Sequence, residues 1–262
     1  GGVGKSSVSA NIASGIAHRG YTVGVLDADI WGFSIPQMLG LSGRLEGNEE
    51  TRRIKPIEKQ AGSGVLKIVS MGFLITEESS SLNWRGLILN RAVRHFLEDV
   101  EWGHLDYLII DMPPGTGDVQ MGLAKMLPRS DMIVVTTPSK TVQNVAARVA
   151  NMARSYYLRI AGVIENMSYF VNESNEKYFI FGKGGGQELA RELGVPLLGS
   201  VPIDENVSKG SDEGNPVILN DGQASTALNN IVDVIMTEAI PLNKITDCSA
   251  YIDQETAVEL NK

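Results

Sequence analysis

The sequence predicts an α/β fold with a mostly parallel central sheet and helices on both faces, three layers in all. Three observations predict it. Short apolar runs of strand length alternate with helical stretches along the chain, the pattern of repeated βα units. The chain opens on a glycine loop, GGVGKSS, that runs straight into a helical pattern. A later apolar run, LDYLIID, ends on Asp111 and is followed by the stiff turn PPGTGD.

The elements follow in order. Ser7 to His18 reads as a helix, with Val8, Ile12 and Ile16 on one face. Gly20 stands where a helix C-terminus favours a left-handed residue. TVGVLDADIWG reads as a buried strand, with Val23, Val25 and Leu26 in the core and Asp27 and Asp29 at its carboxyl end. Residues 42–64 are polar and glycine-bearing and read as a surface excursion, not a domain. VLKIVSMGF (65–73) is a strand, TEESSSLNWRG a polar loop, and 85–100 a helix with Ile88, Val93, Phe96 and Leu97 as its apolar positions. Leu108, Ile109 and Ile110 make a buried strand before Asp111. DMIVVTTP (131–138), IAGVIENMS (160–168) and PLLGSVPID (196–204) are further strands. Helices are expected from Ser139 to about Tyr157, over GQELARELG, and from Gln223 to Ala239. Residues 1–240 therefore read as one domain, and 241–262 as a mixed C-terminal segment or tail.

Composition excludes several classes. The chain has 262 residues, 43% hydrophobic and 21% charged, ordinary for a soluble globule. A net charge of −8 argues against non-specific nucleic-acid binding, which needs a basic footprint. No apolar run reaches the roughly 18 residues of a membrane helix, and no secretory signal is visible. Cys248 is the single cysteine, so no internal disulfide forms, which suits a reducing, cytoplasmic compartment. His18, His95 and His104 show no metal-ligand spacing.

The chemistry gathers at two stretches. In the first, Gly1, Gly2 and Gly4 let the backbone turn tightly and bring N–H groups to oxygen anions. Lys5 supplies a cation for β/γ-phosphates and the Ser6 hydroxyl a seat for Mg²⁺. The following helix points its positive end at the same place. The full pattern G-x-x-x-x-G-K-[ST] would begin about two residues before Gly1. The strand that feeds such a loop is not in this sequence, so the expectation is that both stand upstream. In the second stretch, Asp111 ends a strand and can hold Mg²⁺ through water. Gly115 and Gly117 permit a backbone N–H to approach a γ-phosphate, the position of a hydrolysis-sensing switch. Asp27 and Asp29 sit where open α/β sheets place their ligands.

GGVGKSS, DADIWGFSIP and DMPPGTGD, in this order and spacing, resemble the Mrp (ApbC-like) branch of the MinD-type P-loop ATPases. IENMSYF, IFGKGGG and GSVPID extend the resemblance over roughly residues 1–240. It implies a Mg²⁺-dependent ATPase working as a face-to-face homodimer, with a signature lysine immediately before Gly1. It implies that Gly1, Gly2, Val3, Gly4, Lys5, Ser6 and Ser7 bind nucleotide phosphates and that Ser6 and Asp111 serve Mg²⁺. It implies that Asp29, supported by Asp27, orients the attacking water, and that Pro114, Gly115, Thr116, Gly117 and Asp118 form the switch turn. It implies that Asn166 contacts adenine, flanked by Pro202 and Ile203. Members of the family that carry a bridging [4Fe–4S] cluster have C-x-x-C shortly after N-M-S-Y-F. Here Asn172 and Asn175 occupy that spacing, and amides do not replace thiolates as cluster ligands. No residue of the chain is therefore assigned to an iron–sulfur cluster.

Three functional readings follow. The first is an ATPase assisting iron–sulfur protein maturation, with apo iron–sulfur proteins or assembly factors as partners. The second is a nucleotide-dependent dimeric switch acting on a protein partner. The third, a small-molecule synthetase of the dethiobiotin type, is disfavoured by the PPGTGD and NMSYF stretches. No membrane partner is expected, because the acidic tail does not read as an amphipathic anchor.

Overall fold

A computed structural model describes residues 2–29, 32–74, 86–113 and 118–242. Gly1, Ile30, Trp31, residues 75–85, Pro114 to Gly117, the Ile88 and Asp118 side chains, and residues 243–262 with Cys248 fall outside that description, so the expectations placed on them are not addressed by it. The elements run α1 (Lys5–His18), β1 (Thr22–Asp27), α2 (Ile35–Met38), β2 (Glu46–Gly47), β3 (Ile54–Lys55), β4 (Ile57–Ala61) and β5 (Gly64–Ser70). Next come α3 (Gly86–Glu98), β6 (Tyr107–Asp111), α4 (Asp118–Met126), β7 (Asp131–Thr136), α5 (Lys140–Ser155) and β8 (Arg159–Glu165). The chain then forms β9 (Phe170–Val171), β10 (Lys177–Tyr178), α6 (Gly185–Leu193), β11 (Leu197–Ser200), α7 (Glu205–Glu213) and α8 (Gln223–Val234).

The predicted α/β class holds. β1 pairs in parallel with β5 and β6, and β8 with β7 and β11. Among the described residues the strands form two main sheets, β4-β5-β1-β6 and β11-β8-β7. β6 and β7 both line a cleft of about 390 Å³, where Val8, Ile12 and Ile16 of α1 meet Ile109 and Ile133, and Asp106, Arg129 and Asp131 add polar groups. One core spans both sheets on the α1/α8 side: Ile16 and Val25 belong to the same cluster as Ile164, Leu198, Leu228 and Ile231. On the opposite face Phe96 and Val93 of α3 cover the first sheet, and Ala150 and Leu189 cover the second. Helices on both faces give the three layers.

Three expectations need correction. Residues 42–64 are not only a surface excursion, because 57–61 form β4, antiparallel to β5 on the sheet edge. The A-G-S-G turn closes that hairpin, with Gly62 at φ 59°, and the alternation in IEKQA suits a half-exposed edge strand. Leu108 is 36% exposed and Ile109 and Ile110 are only half-buried, so this strand is not fully buried, because β6 is the last strand of its sheet among the described residues. The run 205–213, unassigned from sequence, is α7, with the Asp204 carboxylate accepting from the Asn206 N–H at 2.9 Å. Its Ser, Asp and Gly content masks the helix, and only the N-cap announces it. No described helix is long and apolar enough to cross a membrane.

Candidate functional site

The sheet's carboxyl edge assembles the site by register. Asp27 lies opposite Ser70 on β5 and opposite Asp111 on β6. Three strand-ending polar residues therefore meet side by side, each closing an apolar run. α1 begins immediately above them, because Gly4 adopts φ 78° and turns the loop into the helix. Gly2, at φ 86°, is likewise left-handed, a region that side chains with a Cβ seldom adopt. The first helical bond runs from the Val8 N–H to the Gly4 carbonyl at 3.0 Å.

The two motifs meet directly. The Ser6 hydroxyl donates to Asp111 Oδ2 at 2.5 Å across 105 residues of sequence. Ser9, one turn further along α1, donates to Asp111 Oδ1 at 3.0 Å. Sequence reasoning did not single out Ser9; its signal was its place three residues after Ser6, on the same helix face. Asp111 is 2% exposed. Burial pushes its carboxyl above the ordinary carboxylate range, against the Ser6 and Ser9 hydrogen bonds and the Lys5 charge that favour ionisation.

Asp27 is fully buried. Its Oδ2 accepts from the Ser70 hydroxyl at 3.0 Å and from the Ser34 and Ile35 N–H groups at 3.2 and 3.3 Å. Its Oδ1 accepts from the Asp29 N–H at 3.2 Å. Burial first, and the Asp111 charge second, push its pKa up from 3.8 to about 6. Asp29 lies just past the strand and accepts from the Gly32 N–H at 3.1 Å. Ser70 is a second residue the sequence reading passed over, and its signal was a lone hydroxyl ending VLKIVS.

Asn166, directly after β8, is buried, and its amide nitrogen donates to the Val3 carbonyl of the glycine loop at 2.9 Å. Pro202 and Ile203 lie on the segment that runs beside the 165–170 stretch, where the Ser168 N–H donates to the Val201 carbonyl at 2.9 Å, and they line a cleft of about 740 Å³ with Phe170, Asp204 and Gln223. The Ile203 N–H donates to the Tyr169 carbonyl at 2.7 Å, tying that wall to the β9–β10 hairpin.

Asn172 and Asn175 are turn residues of this hairpin. Asn172 Oδ1 accepts from the Ser174 and Glu176 N–H groups, both at 2.9 Å, and its amide nitrogen donates to Glu176 Oε2 at 3.1 Å. Asn175 adopts φ 60°, which asparagine tolerates better than most residues. Among the described residues no group of three His, Cys, Asp or Glu side chains could hold a metal ion. At its Asp111 end the site offers a carboxylate and the Ser6 and Ser9 hydroxyls, beside the glycine loop and the Lys5 charge. Such a set suits a hard cation that shares its coordination with phosphate oxygens.

Comparison with known proteins places the chain in a family. The family described as "ParA: NUBPL iron-transfer P-loop NTPase" matches residues 1–236. An iron-sulfur cluster carrier protein of Aquifex aeolicus is 42% identical over 238 residues, covering 90% of this chain and 64% of its own length. A protein of the same description from Saccharolobus solfataricus is 42% identical over 240 residues, covering 90% and 80%. The chain thus spans less than two thirds of the Aquifex relative. Among solved structures, a nucleotide-binding protein from Archaeoglobus fulgidus in complex with ADP superposes with a TM-score of 0.70 at 35% identity, over 82% of each chain. The septum site-determining protein MinD of Pyrococcus horikoshii, complexed with Mg-ADP, superposes with a TM-score of 0.65 at 20% identity, over 94% of this chain and 96% of its own.

Proposed function

The chain belongs to the ParA-type P-loop NTPases, in the branch described as NUBPL iron-transfer P-loop NTPases, and on that premise we propose that it binds and hydrolyses ATP in the service of iron–sulfur protein maturation. The observation that carries this reading is the 2.5 Å contact between Ser6 and Asp111, which joins the loop to the strand-end carboxylate. In this reading Lys5 and the N–H groups of Gly2 to Ser7 hold the phosphates. Ser6 and Asp111 would hold Mg²⁺, which when bound supplies charge neutralisation at the β- and γ-phosphates. Asp29 orients the attacking water, and Asp27 holds the Asp29 backbone in place. Water attacks the γ-phosphorus, the bond to the ADP oxygen breaks, and ADP and phosphate leave. The chain's contribution is positioning and electrostatic stabilisation.

Lys5→Ala is expected to remove most ATP binding, measured by calorimetry. Asp29→Ala is expected to leave ATP affinity within about twofold and to lower kcat, because it touches the water and not the phosphate cradle. Equal ATP affinity for wild type and Lys5→Ala overturns the loop assignment. Omitting Mg²⁺ from the phosphate-release assay is expected to abolish turnover.

The relatives are described as iron-sulfur cluster carriers. In the proposed reading the cluster is cargo, and Asn172 and Asn175 do not ligate it, since amides do not replace thiolates as cluster ligands. Anaerobic reconstitution with iron and sulfide is expected to leave clearly less than one cluster per dimer, and stoichiometric iron overturns this. A second reading, a nucleotide-dependent homodimeric switch acting on a protein partner, draws on the exposed Phe170, Tyr178, Phe179, Ile180 and Phe181 around the same hairpin. Gel filtration with a non-hydrolysable ATP analogue tests it. An unchanged elution volume counts against a nucleotide-driven dimer.

A further inference from the structure

The corner that follows β8 is fixed from several sides. Glu165 is 4% exposed, and its carboxylate accepts from the Ser168 hydroxyl and the Gly186 N–H. The Asn166 N–H donates to the Thr136 carbonyl of β7 at 2.8 Å, and the Ser168 N–H to the Val201 carbonyl at 2.9 Å. Met167 between them adopts φ 53°, a conformation that costs a residue with a side chain free energy and is held by its surroundings. This corner is rigid by construction, and the Asn166 side chain reaches from it to the glycine loop.

The contact is close and has one chemical sense. Asn166 Nδ2 lies 2.9 Å from the Val3 carbonyl. A carbonyl oxygen only accepts, so the end of the amide that faces it is the NH₂ group, whatever its assignment. A Cβ placed on Gly4 would lie 2.3 Å from the same nitrogen, so the loop rests directly on the amide. Val3 C=O and Gly4 N–H belong to one planar trans peptide and point in opposite directions. Holding the carbonyl toward Asn166 therefore aims the Gly4 N–H away from the corner.

We infer that Asn166 is a positioning residue for the phosphate loop. Its amide sets the Val3–Gly4 peptide plane before any ligand arrives, so that the Gly4 N–H is pre-oriented for a phosphate oxygen. This rests on the reading that the loop binds nucleotide phosphates, and it differs from the base contact that family resemblance implies. Loop order and base recognition separate when the ligand has no base.

The test compares ATP with inorganic tripolyphosphate, by calorimetry, on wild type, Asn166→Ala and the near-isosteric Asn166→Asp. Melting curves confirm that each variant is folded. The expected result is a loss of about tenfold in affinity for both ligands, the worth of one hydrogen bond at the loop. Loss for ATP with tripolyphosphate unchanged overturns the inference and leaves a base contact only. A second measurement needs no ligand: the backbone order parameter of the Gly4 amide. It is expected to fall from about 0.85 in wild type to below about 0.6 in Asn166→Ala. An unchanged Gly4 order parameter overturns the inference. A wild type that binds neither ligand, with the Gly4 order parameter falling as expected, overturns the nucleotide reading and leaves the clamp standing.

Discussion

Asp27 and Asp111 are neighbours across two parallel strands, and their proximity has a measurable consequence. The folded protein holds the Asp27 proton more tightly than the unfolded chain does, because burial and the Asp111 charge disfavour its ionised form. The stability that Asp27 contributes is thus fully present below about pH 4 and is lost as pH rises through about 6. A rise from 3.8 to about 6 corresponds to ~3 kcal/mol. In the metal- and nucleotide-free protein, wild type is expected to lose about 2 kcal/mol of this relative to Asp27→Asn between pH 4 and 6.5, read from urea melts. Part of the acid-side slope should remain in the variant, since the Asp111 carboxyl is raised too. Parallel pH profiles for the two proteins would show that Asp27 does not titrate in this window. Residue types were legible in the sequence at Lys5, Ser6, Asp27, Asp29 and Asp111. Ser9 and Ser70 were not, because a single hydroxyl becomes informative only when register and helix phase bring it to a carboxylate.

Among the elements, α2 and α7 show how far apart two sequence segments can be and still dictate one another's residues. Both end on left-handed glycines, Gly40 at φ 64° and Gly214 at φ 69°. A Cβ on Gly214 would lie 2.1 Å from the Gly40 Cα. The Lys59 ammonium of β4 donates to the Leu39 and Gly214 carbonyls at 2.6 and 3.1 Å, satisfying both helix ends, and burial lowers its pKa. Gly214→Ala is expected to destabilise the protein by about 1–3 kcal/mol through this contact, with left-handed strain of about 1–2 kcal/mol added. A change below about 0.5 kcal/mol in denaturant melts would mean the two turns separate at little cost. Strands and long helices were legible from periodicity, whereas α7 and β4 were hidden by polar composition and became elements through a cap and an edge pairing.

For the whole molecule, the question is what joins two sheets whose edge strands, β6 and β7, do not pair among the described residues. The answer is the core shared by α1 and α8, which takes side chains from both. Ile231 is 1% exposed and packs so closely on β11 that a Cβ on Gly199 would lie 2.5 Å from it. Ile231→Ala is expected to cost about 2–5 kcal/mol and to lower the melting of both sheets together. Two separated transitions in the variant, followed by residue-resolved hydrogen exchange, would show that the sheets are independent units.

By itself the sequence determined the α/β class, the glycine loop ahead of α1 and the aspartates at the strand ends, because periodicity, glycine spacing and strand-end charge are local properties. Only the tertiary structure decided which groups meet. Ser6 reaches Asp111 through the placement of α1 above β6. Asn166 reaches Val3 because the corner after β8 is pinned to β7, β11 and α6. Asn172 spends its amide on its own turn. The Ser6–Asp111 and Asn166–Val3 contacts depend on register and packing between segments far apart in the chain, so no local pattern encodes them.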